Sequence, residues 1–222
     1  MIKYLIIIPT YNENPQIITL IQKLKNYNYD VLFIDDCSFD GTFDIIKNSG
    51  FNYLRNEKNM GKGYCIKMGF KYAIENNYFA CITMDADGQH PIELIPKFIE
   101  KINYADIVIG SRRNFMNLKN TPMGRYLSNR LNSTFISIVC SKLILDALSG
   151  YRAIRCEVFE KLTLKSNRFE LEAEIIIKAC IYKFKIDFVE IPVIYQGEKS
   201  HINKFLDTLR ALKLYFTILL NL

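Results

Sequence analysis

The chain has 222 residues, half of them hydrophobic, with 14 tyrosines, 15 phenylalanines and no tryptophan. That content excludes a disordered chain and fits one α/β domain over residues 1–222 with a sizeable core, because two domains would be cramped. The formal net charge of +6 permits attraction to phosphates or to an anionic membrane face, and no nucleic-acid partner is expected.

Six cysteines are scattered without a CxxC pair or a histidine close by, so they read as small core residues of a reducing compartment and not as a disulfide framework or zinc site. The N-terminus shows no signal-peptide pattern, since Lys3 precedes only a short apolar run that ends in Pro9. No stretch of about 18 uncharged apolar residues occurs, so the expectation is a cytoplasmic chain whose membrane contact is peripheral.

In chain order, Tyr4–Ile8 is a β-branched run of the buried parallel-strand type, ending in Pro9-Thr10-Tyr11-Asn12-Glu13. Ile17, Ile18, Ile21 and Leu24 then share a helical face. Val31–Ile34 is a second strand that stops at Asp35-Asp36-Cys37-Ser38, and Asp40-Gly41-Thr42 starts a short helix. Tyr53-Leu54 suggests a third strand, followed by Met60-Gly61-Lys62-Gly63 and a helix to about Asn76. The next strand, Phe79–Thr83, runs into Met84-Asp85-Ala86-Asp87-Gly88-Gln89-His90-Pro91, and Pro91 opens a further helical pattern. This β-α-β-α alternation predicts a mostly parallel sheet with helices on both faces.

Three of these strands end in conspicuous polar groups: Tyr11 and Glu13, Asp35 and Asp36, Asp85 and Asp87. In a parallel sheet such ends share one edge, so the groups converge on one crevice. Asp85 and Asp87 are two apart and in extended chain would point the same way. Hard oxygen ligands grouped like this suit Mg²⁺ or Mn²⁺, with a substrate phosphate completing the shell. On spacing alone, an Asp/Gly-rich turn that merely ends a strand fits as well. The Gly61-Lys62-Gly63 turn could approach a phosphate or be a plain helix start. It is not a P-loop, and the lack of GxGxxG after the first strand argues against a dinucleotide-binding domain.

Ala105–Ile109 is a further strand, ending in Gly110-Ser111-Arg112-Arg113. From Ile107 to Leu145 there is no acidic residue, whereas Arg112, Arg113, Lys119, Arg125, Arg130 and Lys142 fall there, a pattern that attracts anions. Within it Leu127, Leu131, Phe135, Ile138 and Val139 have helical spacing, with Arg130, Ser133, Ser137 and Ser141 on other faces. The helix reads equally as an element lying at a membrane interface and as a core-packed helix with a solvated basic face. Asp146–Arg152 is a polar turn, and Phe169–Glu174 begins a helix whose acidic first turn is explained by dipole complementarity alone. Phe188–Ile194 is a late strand and Gln196–Asn203 a polar loop. Residues 204–222 form a second basic amphipathic helix.

Taken in order, five segments carry a resemblance: Pro9–Glu13, Asp35–Thr42, Asp85–Pro91, Gly110-Ser111-Arg112 and Ser149-Gly150-Tyr151-Arg152. The set resembles family 2 glycosyltransferases of the GT-A fold, and within them the polyprenyl- and dolichyl-phosphate mannosyl- and glucosyltransferases. It covers nearly the whole chain, from Ile2 to about Leu214. The resemblance implies a Rossmann-like α/β sheet, with residues 1–110 as nucleotide-binding half, 111–203 as acceptor-side half and 204–222 as tail helix. It implies that Pro9, Tyr11, Glu13 and Asp36 contact the base and ribose of a nucleotide sugar, and that Ala86 lies against the donor. Asp85, Asp87 and Gln89 would surround Mg²⁺ or Mn²⁺, and Arg112 would face the phosphates, with Arg152 a second candidate. Ser200-His201-Ile202-Asn203 resembles the family's Ser-Lys-Ile-Asn segment, which closes over the donor; here histidine replaces lysine, and Lys199 is the substitute contact beside Ser200.

The implied chemistry follows from charge. Breaking a sugar–diphosphate bond leaves negative charge on the nucleotide, which a metal held at Asp85 and Asp87 and the nearby Arg112 would stabilise. Asp87 and Arg112 are thus the expected catalytic pair. A lipid-phosphate acceptor is already an anion and needs no general base; a sugar hydroxyl would need one, from Glu170, Glu172 or Asp146. The expected activity is inverting transfer of a hexose from a GDP- or UDP-sugar to a polyprenyl phosphate at the cytoplasmic membrane face. Transfer to a saccharide hydroxyl in surface-glycan synthesis and a catalytically silent nucleotide-binding relative are the alternatives.

Overall fold

The β-branched run near the N-terminus forms β1 (Tyr4–Thr10), buried from Leu5 to Thr10. A run apolar on both faces is what a central parallel strand requires. Alternation along it feeds two cores. Leu5 and Ile7 pack with Leu32, Ile34 and Phe70 on one side, and Ile6 and Ile8 with Val31, Phe33 and Phe98 on the other. A computed structural model describes residues 2–114, 121 and 123–194.

After β1 come α1 (Gln16–Leu24), β2 (Asp30–Asp35), α2 (Thr42–Lys47), β3 (Asn52–Arg55), α3 (Lys62–Glu75) and β4 (Ala80–Thr83). Strands β2 and β4 flank β1 in parallel, and β3 pairs parallel to β2. A 3₁₀ turn (Ile92–Leu94) leads into α4 (Ile95–Ile102) and β5 (Ile107–Ser111). The remainder is α5 (Met123–Val139), β6 (Arg152–Arg155), α6 (Cys156–Lys161), α7 (Leu171–Ile181) and β7 (Ile186–Glu190). The seven strands lie in the order β3-β2-β1-β4-β6-β5-β7.

The sheet is mostly parallel, as predicted, with one reversal. β6 is antiparallel to both neighbours, β4 and β5, whereas β7 runs parallel to β5. The reversal positions the site. It brings the start of β6, not its end, to the carboxyl edge of β4, where Thr83 Oγ1 donates to Gly150 O (2.8 Å). The Asp146–Tyr151 segment therefore joins the strand ends of the first half.

The apolar positions of α5 do not all face the core. Ile136, Asn129 and Ser133 are buried, and Ser133 Oγ accepts the Ala147 N–H (3.0 Å). Leu127, Leu131 and Ile138 are 54, 61 and 72 % exposed, with Met123 at 70 %. At about 100° per residue these four share one outward stripe. No helix among the described residues is long and apolar enough to cross a membrane. The tail helix expected over 204–222 lies outside the described residues.

Candidate active site

The loops after β1 and β2 are laced together by side chains. Asn12 N–H donates to Ser38 Oγ (3.0 Å), Phe39 N–H to Asn12 Oδ1 (3.0 Å) and Glu13 N–H to Thr42 Oγ1 (2.8 Å). The Asp40 carboxylate accepts Asn14 N–H and Thr42 N–H, both at 3.0 Å. Short polar side chains here satisfy loop N–H groups that have no ladder partner. Pro9 is buried in β1 opposite Ile34. Tyr11 and Glu13 are half-buried on the rim, Tyr11 edge-on to the exposed Phe39 ring.

Asp36, expected against base and ribose, is held by the protein itself. It is buried; Oδ1 accepts Met60 N–H (2.8 Å) and Asn56 Nδ2 (2.7 Å), and Oδ2 accepts Gly61 N–H (2.7 Å). Its carboxylate is turned to the protein and anchors the segment leading into α3. Neighbouring Asp35 is also buried, accepts Ser38 N–H (3.1 Å) and pairs with Arg55 (3.2 Å), while its Oδ1 has no partner.

The chain after β4 is not extended. It turns at residues 86–87, and Gly88 has φ +77°. The two-residue period therefore lapses, and the two aspartates make different contacts. Asp85 Oδ1 lies 2.6 Å from Lys62 Nζ, which is also 2.9 Å from Glu172 Oε1. Asp87 Oδ1 accepts the Gln89 N–H (3.0 Å), and Asp87 lines an open pocket of about 240 Å³ with Gln16, Lys23 and Gly88. Ala86, between them, is buried in the core.

His90 holds this turn from behind. Asp85 N–H donates to His90 Nδ1 (2.9 Å), and the ring stacks on Tyr151, whose hydroxyl donates to Pro91 O (2.8 Å). A ring that accepts at Nδ1 is neutral, with its proton on Nε2. Burial drives His90 down to about 4. Burial also opposes charge on Asp85, but the Lys62 ammonium outweighs it and holds the carboxyl at about 2. Lys62 in turn pays a burial penalty that Asp85 and Glu172 overcome, so it stays above the ordinary lysine value.

Two glycines allow close approach around Lys62: Gly63 admits the Asn167–Arg168 backbone, and Gly150 makes room for the Lys62 ammonium. A Cβ at Gly63 would lie 2.7 Å from Arg168 O, and one at Gly150 would lie 2.6 Å from Lys62 Nζ and 2.9 Å from Asp85 Oδ2. The Gly61-Lys62-Gly63 turn is thus a close approach that delivers a lysine to Asp85.

Arg112, at the end of β5, is gripped by Asp146. Nε donates to Oδ2 (2.8 Å) and Nη2 to Oδ1 (3.0 Å), while Asn129 Nδ2 donates to the same carboxylate (2.7 Å). Burial would raise the Asp146 carboxyl, but Arg112 holds it below the usual range. This fork fixes a cation at the sheet edge. Arg152 does not join it as a phosphate contact. It is 1 % exposed and donates to the backbone carbonyls of Ser149 (2.7 Å), Ala147 (2.9 Å) and Glu172 (2.6 Å). That expectation is corrected: a buried guanidinium satisfied by three carbonyls organises the turn before β6.

The acidic first turn of α7 does more than complement a dipole. Glu174 accepts Lys165 N–H (2.9 Å) and Ser166 N–H (2.8 Å) and pairs with Lys178 (2.7 Å), fixing the preceding loop. Glu172 pairs with Lys62, and buried Oε2 atoms of Glu170 and Glu172 have no hydrogen-bond partner. Sequence reasoning missed the Lys62–Glu172 pair and the grip of Asp146 on Arg112. The one signal was Asp146 itself, the first acidic residue after the long basic stretch. Lys199, Ser200 and His201 lie outside the described residues.

The donor chemistry at Asp85 and Asp87 fits a hard divalent ion held by one or two carboxylates together with phosphate and water oxygens. Among the described residues, no cluster of three or more His, Cys, Asp or Glu forms a protein-only cage.

The family model described as glycosyl transferase family 2 matches residues 5–163. The chain is 35 % identical over 202 residues to a dolichol-phosphate mannosyltransferase of Pyrococcus furiosus, covering 86 % of this chain and 55 % of that protein. It is 32 % identical over 214 residues to a UDP-N-acetylglucosamine–dolichyl-phosphate N-acetylglucosaminyltransferase of Methanococcus voltae, covering 86 % and 85 %. It is 29 % identical over 204 residues to an undecaprenyl-phosphate mannosyltransferase of Micrococcus luteus, covering 87 % and 83 %. Among solved structures, glucosyl-3-phosphoglycerate synthase from Mycobacterium tuberculosis, in complex with Mn²⁺, UDP and glucosyl-3-phosphoglycerate, has a TM-score of 0.70 at 19 % identity, covering 95 % of this chain and 75 % of that one. The solved structure shares the GT-A fold, and the family model spans all but the last of the described strands: this chain belongs to glycosyl transferase family 2.

Proposed function

We propose that this protein is a metal-dependent, inverting hexosyltransferase that moves a sugar from a GDP-mannose- or UDP-glucose-type donor to a polyprenyl phosphate at the cytoplasmic membrane face. The observation that carries the reading is the inverted packing of α5. Its polar residues Asn129 and Ser133 face the protein, while Met123, Leu127, Leu131 and Ile138 face outward beside exposed Arg130. An exposed apolar stripe with basic neighbours suits the surface of an anionic bilayer. The relatives named for dolichyl- and undecaprenyl-phosphate acceptors support the same acceptor class.

In this reading a lipid-phosphate oxygen attacks the anomeric carbon as its bond to the nucleoside diphosphate breaks. The acceptor is an anion already, so no proton need be removed. When bound, the divalent ion supplies charge neutralisation at the diphosphate; Asp85 and Asp87 would hold it, with Gln89 beside them. Arg112 meets the leaving charge from a fixed position, because Asp146, itself held by Asn129, removes its rotamer freedom before reaction. Pro9, Tyr11 and Glu13 form the base and ribose rim, and Lys199 and Ser200 are the proposed phosphate contacts of the closing loop.

The test is transfer of labelled sugar from a panel of GDP- and UDP-sugars to a short polyprenyl phosphate with Mn²⁺, wild type beside Asp87→Ala. Transfer from one donor, lost in the variant, is expected. Transfer to saccharides but never to the lipid would move the reading to a hydroxyl acceptor. Glu170 would then be the base, since Asp146 and Glu172 are already paired with cations.

A further inference from the structure

Lys62 occupies the carboxylate that the proposed ion needs. Its ammonium lies 2.6 Å from Asp85 Oδ1, with the side chain only 16 % exposed. Its second partner comes from the other half of the molecule. Glu172 sits in the first turn of α7, 5 % exposed, with Oε1 2.9 Å from Nζ. Glu172 Oε2 is buried and accepts no hydrogen bond. An unmet carboxylate oxygen in a buried ion pair is costly unless a donor reaches it in another state of the protein. Lys62 has three N–H donors on a flexible four-carbon stem, so it is that donor. Space for the stem exists because residue 150 is glycine, and the Phe169 ring lies 5.8 Å from the ammonium.

We propose that Lys62 is an internal counter-cation that exchanges between Asp85 and Glu172. It neutralises Asp85 in the donor-free protein and withdraws onto both oxygens of Glu172 when a divalent ion arrives with a nucleoside diphosphate. The inference rests on the reading of Asp85 as a metal ligand. Its consequence is linked loading. A divalent ion alone must break the Lys62–Asp85 pair with little return. An ion arriving with a diphosphate brings phosphate oxygens to complete its shell and gives the displaced ammonium an anion to face. Binding of the ion and of the nucleotide should therefore strengthen each other reciprocally. Glu172 is a positioning residue in this scheme: it acts through Lys62.

The experiment is Mn²⁺ titration followed by electron paramagnetic resonance of the free ion, with Mn²⁺ alone and with UDP or GDP, on wild type, Lys62→Met and Glu172→Gln. Wild type should bind Mn²⁺ weakly alone and about tenfold or more tightly with one of the nucleotides. Lys62→Met should bind Mn²⁺ alone about tenfold more tightly than wild type and lose most of the nucleotide enhancement. Glu172→Gln should move the other way, because Lys62 loses its retreat and stays on Asp85. A merely structural role would weaken binding in both variants. If Lys62→Met binds Mn²⁺ alone no better than wild type, while wild type still takes up Mn²⁺ with a nucleotide, the exchange is overturned and the metal reading survives. If folded wild type takes up no Mn²⁺ with either nucleotide, both fall. Should circular dichroism show Lys62→Met unfolded, Glu172→Gln decides, and unchanged or tighter Mn²⁺ binding there overturns the exchange.

Discussion

The two halves of the molecule use their carboxylates differently. Before Arg112, Asp35, Asp36 and Asp40 accept backbone N–H groups of neighbouring loops. After it, Asp146 grips Arg112 and Glu172 holds Lys62. A backbone N–H is already placed by the fold, so a carboxylate that accepts from it builds a frame. A long cationic side chain has rotamers to lose, so a carboxylate that holds it decides where a charge stands. The carboxylates of the first half mostly build frame, and those of the second mostly position charge. Each half has its exceptions: Glu174 fixes the Lys165–Ser166 backbone in the second, and in the first Asp35 also pairs with Arg55 and Asp85 holds Lys62.

The comparison breaks first at Asp36. Asp36→Ala would leave Met60 N–H, Gly61 N–H and the Asn56 amide without their acceptor. Destabilisation of about 4 kcal/mol is expected in denaturant unfolding, and a loss below about 1 kcal/mol would remove Asp36 from the frame. His90 is the frame's titratable member. Its folded value of about 4 lies below the ordinary 6.5, so the unfolded chain binds the proton first. Its contribution is complete above pH 6.5 and is lost as pH falls toward 4, by about 3 kcal/mol in metal-free buffer. His90→Asn keeps an acceptor for Asp85 N–H and should flatten that slope. A slope that survives the substitution would assign it to another group.

On the charge side, Arg112→Lys keeps the cation but loses the fork to Asp146. Transfer should fall about 10²-fold in kcat/KM, with stability changed by less than about 1 kcal/mol. An equal loss of stability would make Arg112 frame instead. The smallest effect on folding belongs to the outward stripe of α5. Leu127→Ser with Leu131→Ser should leave unfolding within about 0.5 kcal/mol of wild type while weakening flotation with phosphatidylglycerol-containing vesicles. A loss of about 3 kcal/mol would mean that these leucines are packed in the folded protein, and the interface reading would fail.

Much of the first half was legible from local pattern. The run at Tyr4–Ile8, the stops at Asp35 and Asp85, and the helix after Gly61 all appear where spacing put them. Strand period, helix period and turn chemistry act over a few residues, so a single chain displays them. What the sequence could not display was partnership. The antiparallel insertion of β6 depends on pairing between Thr83 and Arg152, far apart in the chain. That Asp36 faces a loop, that Arg152 is buried among carbonyls, and that Lys62 stands between Asp85 and Glu172 are likewise long-range choices. The spacing in α5 marked an apolar stripe but not whether protein covers it. Local pattern decides which element forms and which residues share a face. Only the tertiary structure decides what each face meets, because burial, ion pairing and register are set by segments that the chain brings together last.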